Sequence, residues 1–266
     1  MSLRRAGVRG TLALRISLYT LGMKTKITAP AGSVENLKVD HLEVQVHWSS
    51  RRKTVAVTVS RQGQVLIAAP DTSGTEALAA FIRDKRYWIY TKLARREILG
   101  PNRGHPSFVD GDTFPYLGRR HELKIVSNDA QDIPLKLNHG RFHLRHKDSV
   151  AGRGHFLRWY RRHAKPFLED RADAWTHELD VQPASITVRD LGTRWSAFAP
   201  DGTVQFHWAS ILIPPEYIDY LLLRTLTHLH ERNFTSEYWS TVEKAMPDFP
   251  ERSLWLIRNG NNYAWL

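Results

Sequence analysis

Residues 220–239, YLLLRTLTHLHERNFTSEYW, hold the side chains best suited to coordination chemistry in this chain: His228, His230 and Glu231 lie within four positions. An imidazole offers a neutral lone pair and a carboxylate offers charge, two donor types that a divalent metal takes readily. A hydrolytic zinc helix of the form H-E-x-x-H needs an imidazole four residues before its last one, a turn back on the same face. Beside it sits a glutamate that serves as general base. Counting back from His228, those two positions carry Arg224 and Thr225. A guanidinium stays protonated, only donates hydrogen bonds, and cannot lend a lone pair to zinc. A hydroxyl does not take a proton from water near neutral pH as a carboxylate does.

A displaced metal set is the alternative. Glu231 follows His228 by three and shares its face if the helix continues that far, and His207 can join from a neighbouring strand. His230, at i+2, diverges from His228 on a helix. An active metal-dependent hydrolase with a non-standard site around His228 would use that set. The bland reading is a hydrogen-bonded core histidine and a solvated Glu231. Cys-His chemistry is excluded because there is no cysteine, and the sequence carries no G-x-S-x-G elbow, P-loop or dinucleotide fingerprint. His139, His143 and His146 fall in a basic, strand-rich stretch where His143 shares a face with Arg141 and Arg145, and a wet, positively charged face is the expectation there.

The residues around the helix carry a specific likeness. Arg194-Trp195-Ser196-Ala197-Phe198, Phe206-His207-Trp208, Pro214-Pro215, Asp219-Tyr220, His228-Leu229, Asn233-Phe234-Thr235 and Tyr238-Trp239 occur in that order. Upstream lie Ser50-Arg51-Arg52-Lys53, the run from Ser60 to Pro70, Phe108-Val109-Asp110-Gly111 and Tyr116-Leu117-Gly118-Arg119. From about residue 42 to 258 this pattern resembles the YgjP-type zinc metallopeptidases, relatives of the SprT-like and minigluzincin groups. That family reads R-W-G-S-C, then a strand ending N-W, then D-Y-x-x-x-H-E-L-x-H and N-H-S-x-x-F-W. The resemblance implies a zinc-dependent peptidase scaffold, intracellular and bacterial. It also implies that Arg224 and Phe234 occupy two ligand positions, Thr225 the general-base position, and that His228 is the one surviving ligand. Catalytic zinc takes three protein ligands and an open position, so the expectation is a chain without zinc or hydrolase activity, retained as a binding scaffold.

The elements that must position these residues are legible from periodicity. Leu42 to Trp48 alternates strictly, Thr54 to Val59 nearly so, and Gln64 to Ala68 follows a Gln62-Gly63 turn, the pattern of strands. Ser73 to Leu99 reads as a helix with Leu78, Phe81, Ile82, Trp88, Ile89 and Leu93 inward. A β-rich stretch over Phe108 to Arg145 gives strands at His121–Val126, Leu135–Leu137 and Arg141–Leu144. His155 to Leu179 is a long helix with a kink or break expected at Pro166. Strands at Ile186–Leu191 and Val204–Ile213 lead to Pro214-Pro215, which opens a helix to about His230. Helices over Ser236–Met246 and Arg252–Asn259 complete the chain.

The fold class expected is therefore α+β: a β-rich N-terminal half, and a minigluzincin-like C-terminal half with long helices around a small, mostly antiparallel sheet. The domains expected are a mobile basic leader (1–41), a β-rich region with one long helix (42–150) and the degenerate peptidase-like domain (151–266). In the leader, Met23 is an alternative start. The absence of cysteine suits a reducing compartment, here the cytoplasm, and no stretch has the length of a membrane span. The net charge of +11 suits nucleic acid or another polyanion as partner, or only solubility. Arg51, Arg52, Lys53, Arg119, Arg120, Arg161 and Arg162 are the candidates for such contact. In Arg158-Trp159-Tyr160-Arg161-Arg162 the rings are expected to face the core and the arginines water.

Overall fold

The structure, a computed structural model, describes residues 14–17, 33–100, 106–127 and 132–263. The chain divides into two compact units, Met1–Arg96 and Glu97–Leu266. The division falls well before the boundary expected near Gly152, since the β-rich stretch after Glu97 packs with the helix Gly152–Leu179 in the second unit.

The first unit is a five-stranded sheet and one helix. Strands β1 (Leu14–Ser17), β2 (Val34–Val39), β3 (Leu42–Ser49), β4 (Thr54–Val59) and β5 (Val65–Pro70) lie in the order β1-β4-β5-β3-β2. The β3–β5 pairing is parallel and the others antiparallel. Strict alternation in β3 sends Leu42, Val44, Val46 and Trp48 inward, as its sequence requires. Helix α1 (Thr75–Ala94) buries Leu78, Ile82, Ile89, Tyr90 and Leu93, whereas Phe81 and Trp88, expected on that stripe, are half-buried. Just beyond it Arg96 donates to the carbonyls of Val59 and Ser60 at the end of β4. The expectation of a mobile leader fails for β1 and β2, which are paired strands. In β2 only Val39 is buried, so this edge strand is held by main-chain pairing and shows little period-2 signal. Residues 1–13 and 18–32 of the leader lie outside the described residues.

The second unit holds two sheets and four helices. Strands β6 (Thr113–Tyr116), β7 (Arg119–Val126), β8 (Leu135–Asn138) and β9 (Arg141–Arg145) form a sheet in the order β6-β7-β9-β8. Its inner face, with Phe114 and Phe142, meets Phe156, Trp159 and Tyr160 of α2 (Gly152–Leu179) in an aromatic core; Phe114 and Phe156 stack at 4.0 Å. The arginines beside those rings, Arg158, Arg161 and Arg162, are exposed, so the rings serve the core as expected. Helix α2 runs through Pro166 without a break; the proline removes one backbone donor, and the packed residues on both sides hold the rod together.

Strands β10 (Ser185–Arg189), β11 (Ser196–Phe198) and β12 (Thr203–His207) make a small sheet in the order β10-β12-β11. Because β12 inserts between the other two, β10 and β12 run parallel while β11 and β12 run antiparallel. The sheet is mixed where a mostly antiparallel one was expected. The α+β class itself stands. After a 3-10 turn over Trp208–Leu212 come α3 (Pro215–Thr227), α4 (Ser236–Ala245) and α5 (Phe249–Asn259).

The start of α3 is fixed by the β6–β7 hairpin. Leu117 and Gly118 both have positive φ, and their N–H groups donate to the carbonyls of Ile211 and Leu212 at 2.9 and 3.0 Å. A Cβ on Gly118 would lie 2.7 Å from Pro214 Cγ, so only glycine allows this approach. Asp219 of α3 accepts two bonds from Arg171 of α2, at 2.7 and 2.5 Å, which fixes the rotation of one helix against the other. Among the described residues no helix is long and apolar enough to cross a membrane.

The aromatic core supplies a direct test. Phe156→Ala removes a fully buried ring that touches Phe108, Phe114 and Phe142. It should lower unfolding free energy by about 3–5 kcal/mol, read from urea denaturation followed by tryptophan fluorescence.

Candidate functional site

Residues 97–99 enter the second unit beside the turn that precedes β11. The Leu99 N–H donates to Thr193 O at 2.9 Å, and Ile98 bridges to Arg194. This path carries Glu97 into the interior between α3 and α5, where its side chain has no exposed surface. Tyr220 donates to Glu97 Oε1 at 2.7 Å and Ser253 to the same oxygen at 2.5 Å. Arg224 donates through Nη1 to Oε2. Three donors from two helices thus converge on one carboxylate.

Arg224, expected at a ligand position, has a structural partner of its own. Its guanidinium is 12% exposed, and it is the cation that neutralises Glu97. Burial pushes the Glu97 carboxyl up, against the Arg224 charge and the bonds from Ser253 and Tyr220. Burial likewise works to lower Arg224, but Glu97, Tyr220 and Tyr238 together hold it above its ordinary value. The two directions oppose each other over whether the pair is ionised. The geometry decides for the ionised pair, because every donor around the carboxylate is aimed at its oxygens. Arg224 Nε has no hydrogen-bond partner among the described residues.

The other expected positions are equally occupied by internal contacts. Thr225 donates to Leu221 O at 2.6 Å. Its single proton is then used, so the 2.7 Å contact with Ser196 Oγ takes the serine proton. Both hydroxyls are buried and engaged in internal hydrogen bonds. Phe234 stacks on Trp239 at 5.3 Å and tilts against His228 at 5.2 Å.

His228 lies between two rings, Phe198 at 4.8 Å and Tyr238 at 4.6 Å. Its Nδ1 donates to Glu231 O at 3.0 Å, which leaves one lone pair, on Nε2. Burial lowers its pKa to about 4, with the Arg224 charge acting in the same direction and the Glu231 carbonyl opposing. The ring is neutral at physiological pH.

The displaced set does not assemble. Helix α3 ends at Thr227 and His228 is its C-cap, so the helical spacing that would align Glu231 with His228 is lost. The Glu231 carboxylate instead accepts from Thr235 at 3.2 Å. His207 Nδ1 accepts from the Ala209 N–H at 3.1 Å, which puts its proton on Nε2, 3.4 Å from Asp190. Burial lowers the His207 pKa, against the Asp190 charge. His230 Nε2 lies 3.1 Å from Leu179 O, a contact set by the turn after α3 and not by helical spacing. Among the described residues no group of three or more His, Cys, Asp or Glu side chains is placed to hold a metal.

The polyanion candidates are spread over several elements. Arg51, Arg52 and Lys53 belong to the first unit, between β3 and β4. Arg119 and Arg120 open β7, and Arg161 and Arg162 lie on the exposed side of α2. Glu97 and Ser253 were missed by sequence reasoning altogether. They stand 127 and 29 residues from Arg224, and no periodicity links them. The one available signal was the permanent charge of Arg224 on a helix face otherwise made of Leu and Tyr, which demands a buried anion.

Two measurements test this geometry. Arg224→Leu strands the Glu97 carboxylate and should cost about 3–5 kcal/mol of stability; adding Glu97→Gln should recover much of it. His228 has a folded pKa of about 4 against an ordinary 6.5. Below pH 6.5 the unfolded chain binds a proton that the folded ring refuses, so stability falls as pH drops from 6.5 to 4, by at most about 3 kcal/mol. His228→Phe should flatten that part of a profile of urea midpoints against pH.

Comparison with known proteins places this cleft in context. A solved structure, the metallopeptidase zymogen of Pyrococcus abyssi abylysin, aligns over 34% of this chain and 87% of its own at 25% identity, with a TM-score of 0.30. That overlap is too slight to carry an argument. No curated protein matches. A metallopeptidase family implies a metal, yet the residues expected at its ligand positions do not fit one: the Arg224 guanidinium paired with Glu97, the Phe234 ring, and the single His228 imidazole with one lone pair. The model of the YgjP-like metallopeptidase domain nevertheless matches residues 53–259, across the turn before β11, α3 and the aromatic residues of α4, and the chain belongs to that family.

Proposed function

We propose that this chain is a non-catalytic member of the YgjP-like family, a peptidase scaffold whose metal position is taken by an internal ion pair. The observation that carries this reading is the Arg224–Glu97 contact. A guanidinium turned inward onto a buried carboxylate repels a dication and leaves no donor facing the cleft. Thr225 and Ser196 satisfy each other, which supports the same reading for the general-base position. Phe198 and Phe234, in place of ligating or smaller residues, close rings around His228. A lone imidazole lone pair is one donor of the three that catalytic zinc requires.

Protein purified without a metal-chelating tag should carry zinc far below one equivalent by elemental analysis. Peptide substrates should show no turnover above blank when zinc is added. Near-stoichiometric zinc that is lost in His228→Ala, with turnover abolished by a chelator and restored by metal, would overturn the proposal. Reconstruction is the complementary test. Arg224→His, Thr225→Glu and Phe234→His supply the missing groups, but Arg224→His also strands Glu97. Zinc binding is therefore expected in the quadruple variant that adds Glu97→Gln, not in the triple variant.

A further inference from the structure

The four-stranded sheet of the second unit has a buried aromatic face and a second face of different chemistry. Alternation sends Leu123 of β7 and Phe142 and Leu144 of β9 inward. Lys124, Arg141 and His143 therefore point outward, with Lys136 of β8 beside them. Register places three of these in one cross-strand row. Lys124 is paired with His143 across β7–β9, and Lys136 with His143 across β8–β9. Arg141 lies two residues before His143 on the same strand, 57% exposed. Arg120 shares the parity of Lys124 on β7 and holds Thr113 through Nε at 3.0 Å, which leaves its outer nitrogens available. Arg145 shares the parity too, but its guanidinium is tied to Asp148 and to the carbonyl of Asp132. Glu122, 3.3 Å from Arg141, is the acid among them.

Like charges directly opposite one another destabilise a sheet. Here Lys124 and Lys136 lie on either side of His143 across three strands, on a face that shows no Phe, Tyr or Trp at the outward positions named above. We infer that this face, centred on Lys124, His143, Lys136 and Arg141, docks the phosphodiester backbone of a nucleic acid, gripping phosphates without stacking on bases. Charge complementarity selects the occupant, and no Phe, Tyr or Trp stands among these residues to build the stacking platform by which single strands are otherwise held. Phosphate contact positions a nucleic acid without reading its sequence. The same crowding bears on the His143 ring: burial and then the charges of Lys136, Lys124, Arg141 and His139 all lower its pKa. The inference does not depend on whether the α3 cleft binds metal, because none of these residues touches that cleft.

Fluorescence anisotropy with a labelled, mixed-sequence oligodeoxynucleotide, single-stranded and duplex, tests it on the full chain. Binding should be indifferent to base content and fall steeply with salt, with a slope of log K against log salt of about −2 to −3 for single strands as three or four phosphates are neutralised. The variant Lys124→Gln/Lys136→Gln/Arg141→Gln should lose at least about tenfold in affinity and flatten that slope by about 2. In the unmodified protein, the His143 ring should titrate at a higher pH when the oligonucleotide is bound, since phosphates offset its cationic neighbours. Unchanged affinity in the folded triple variant, or an unmoved His143 titration, would overturn the inference. So would loss of binding in Arg51→Gln/Arg52→Gln/Lys53→Gln instead, or polyglutamate competing as well as nucleic acid does.

Discussion

The interior of the second unit contains a carboxylate with no exposed surface, and the cleft around α3 is organised by its neutralisation. Removing two charges from water costs several kcal/mol per ion even after relaxation, and mutual attraction offsets this only when the remaining lone pairs are satisfied. Glu97 meets that condition. One oxygen takes Tyr220 and Ser253 and the other takes Arg224. Such a pair adds little stability over a well-packed apolar substitute. What it adds is a single arrangement: α3, α5 and the segment at 97–99 can satisfy all three donors in only one relative register. The same constraint accounts for Arg224 being tolerated in a helix whose neighbours are Leu222, Leu223 and Leu226, all without exposed surface.

Around that pair, the positions that would serve a metal have been absorbed into packing. His228 keeps a tautomer that could ligate, with Nδ1 occupied by a carbonyl, but Phe198 and Tyr238 cover both faces of the ring. Tyr238 also donates to the carbonyl of Arg224 at 2.8 Å, close to the end of α3 where intrahelical partners run out. The aromatic residues that make the family legible, Trp195, Trp208, Tyr220, Tyr238 and Trp239, are all buried. Their retention is a matter of core volume, which is felt at every methylene, whereas a ligand set is felt only through the metal it holds.

What could be read from sequence follows the range of the physical signal. The alternation of Leu42–Trp48 and the apolar spacing of α1 and α2 are local, and they predicted strands and helices within a few residues. The identity of Arg224, Thr225 and Phe234 was equally local, and it was sufficient to show that the H-E-x-x-H pattern is not spelled there. The end of α3 at Thr227 was not legible, because His228, Leu229 and His230 are ordinary helix residues and the stop is set by contacts such as His230 with Leu179 O. Strand β2 was hidden because an exposed edge strand needs no apolar face. Glu97 was hidden because its partners come from distant helices. The outward row of Lys124, His143 and Lys136 depends on cross-strand register, and register is a tertiary property.

The Glu97–Arg224 pair also bears on the evolutionary history of the fold. Either residue changed alone leaves its partner as an uncompensated interior charge, so each single step away from the present state crosses a stability valley. A protein with a typical margin of about 5–15 kcal/mol has little room for such a step. The pair therefore acts as a ratchet: once both ions are in place, drift can refine their surroundings but cannot readily remove either one alone.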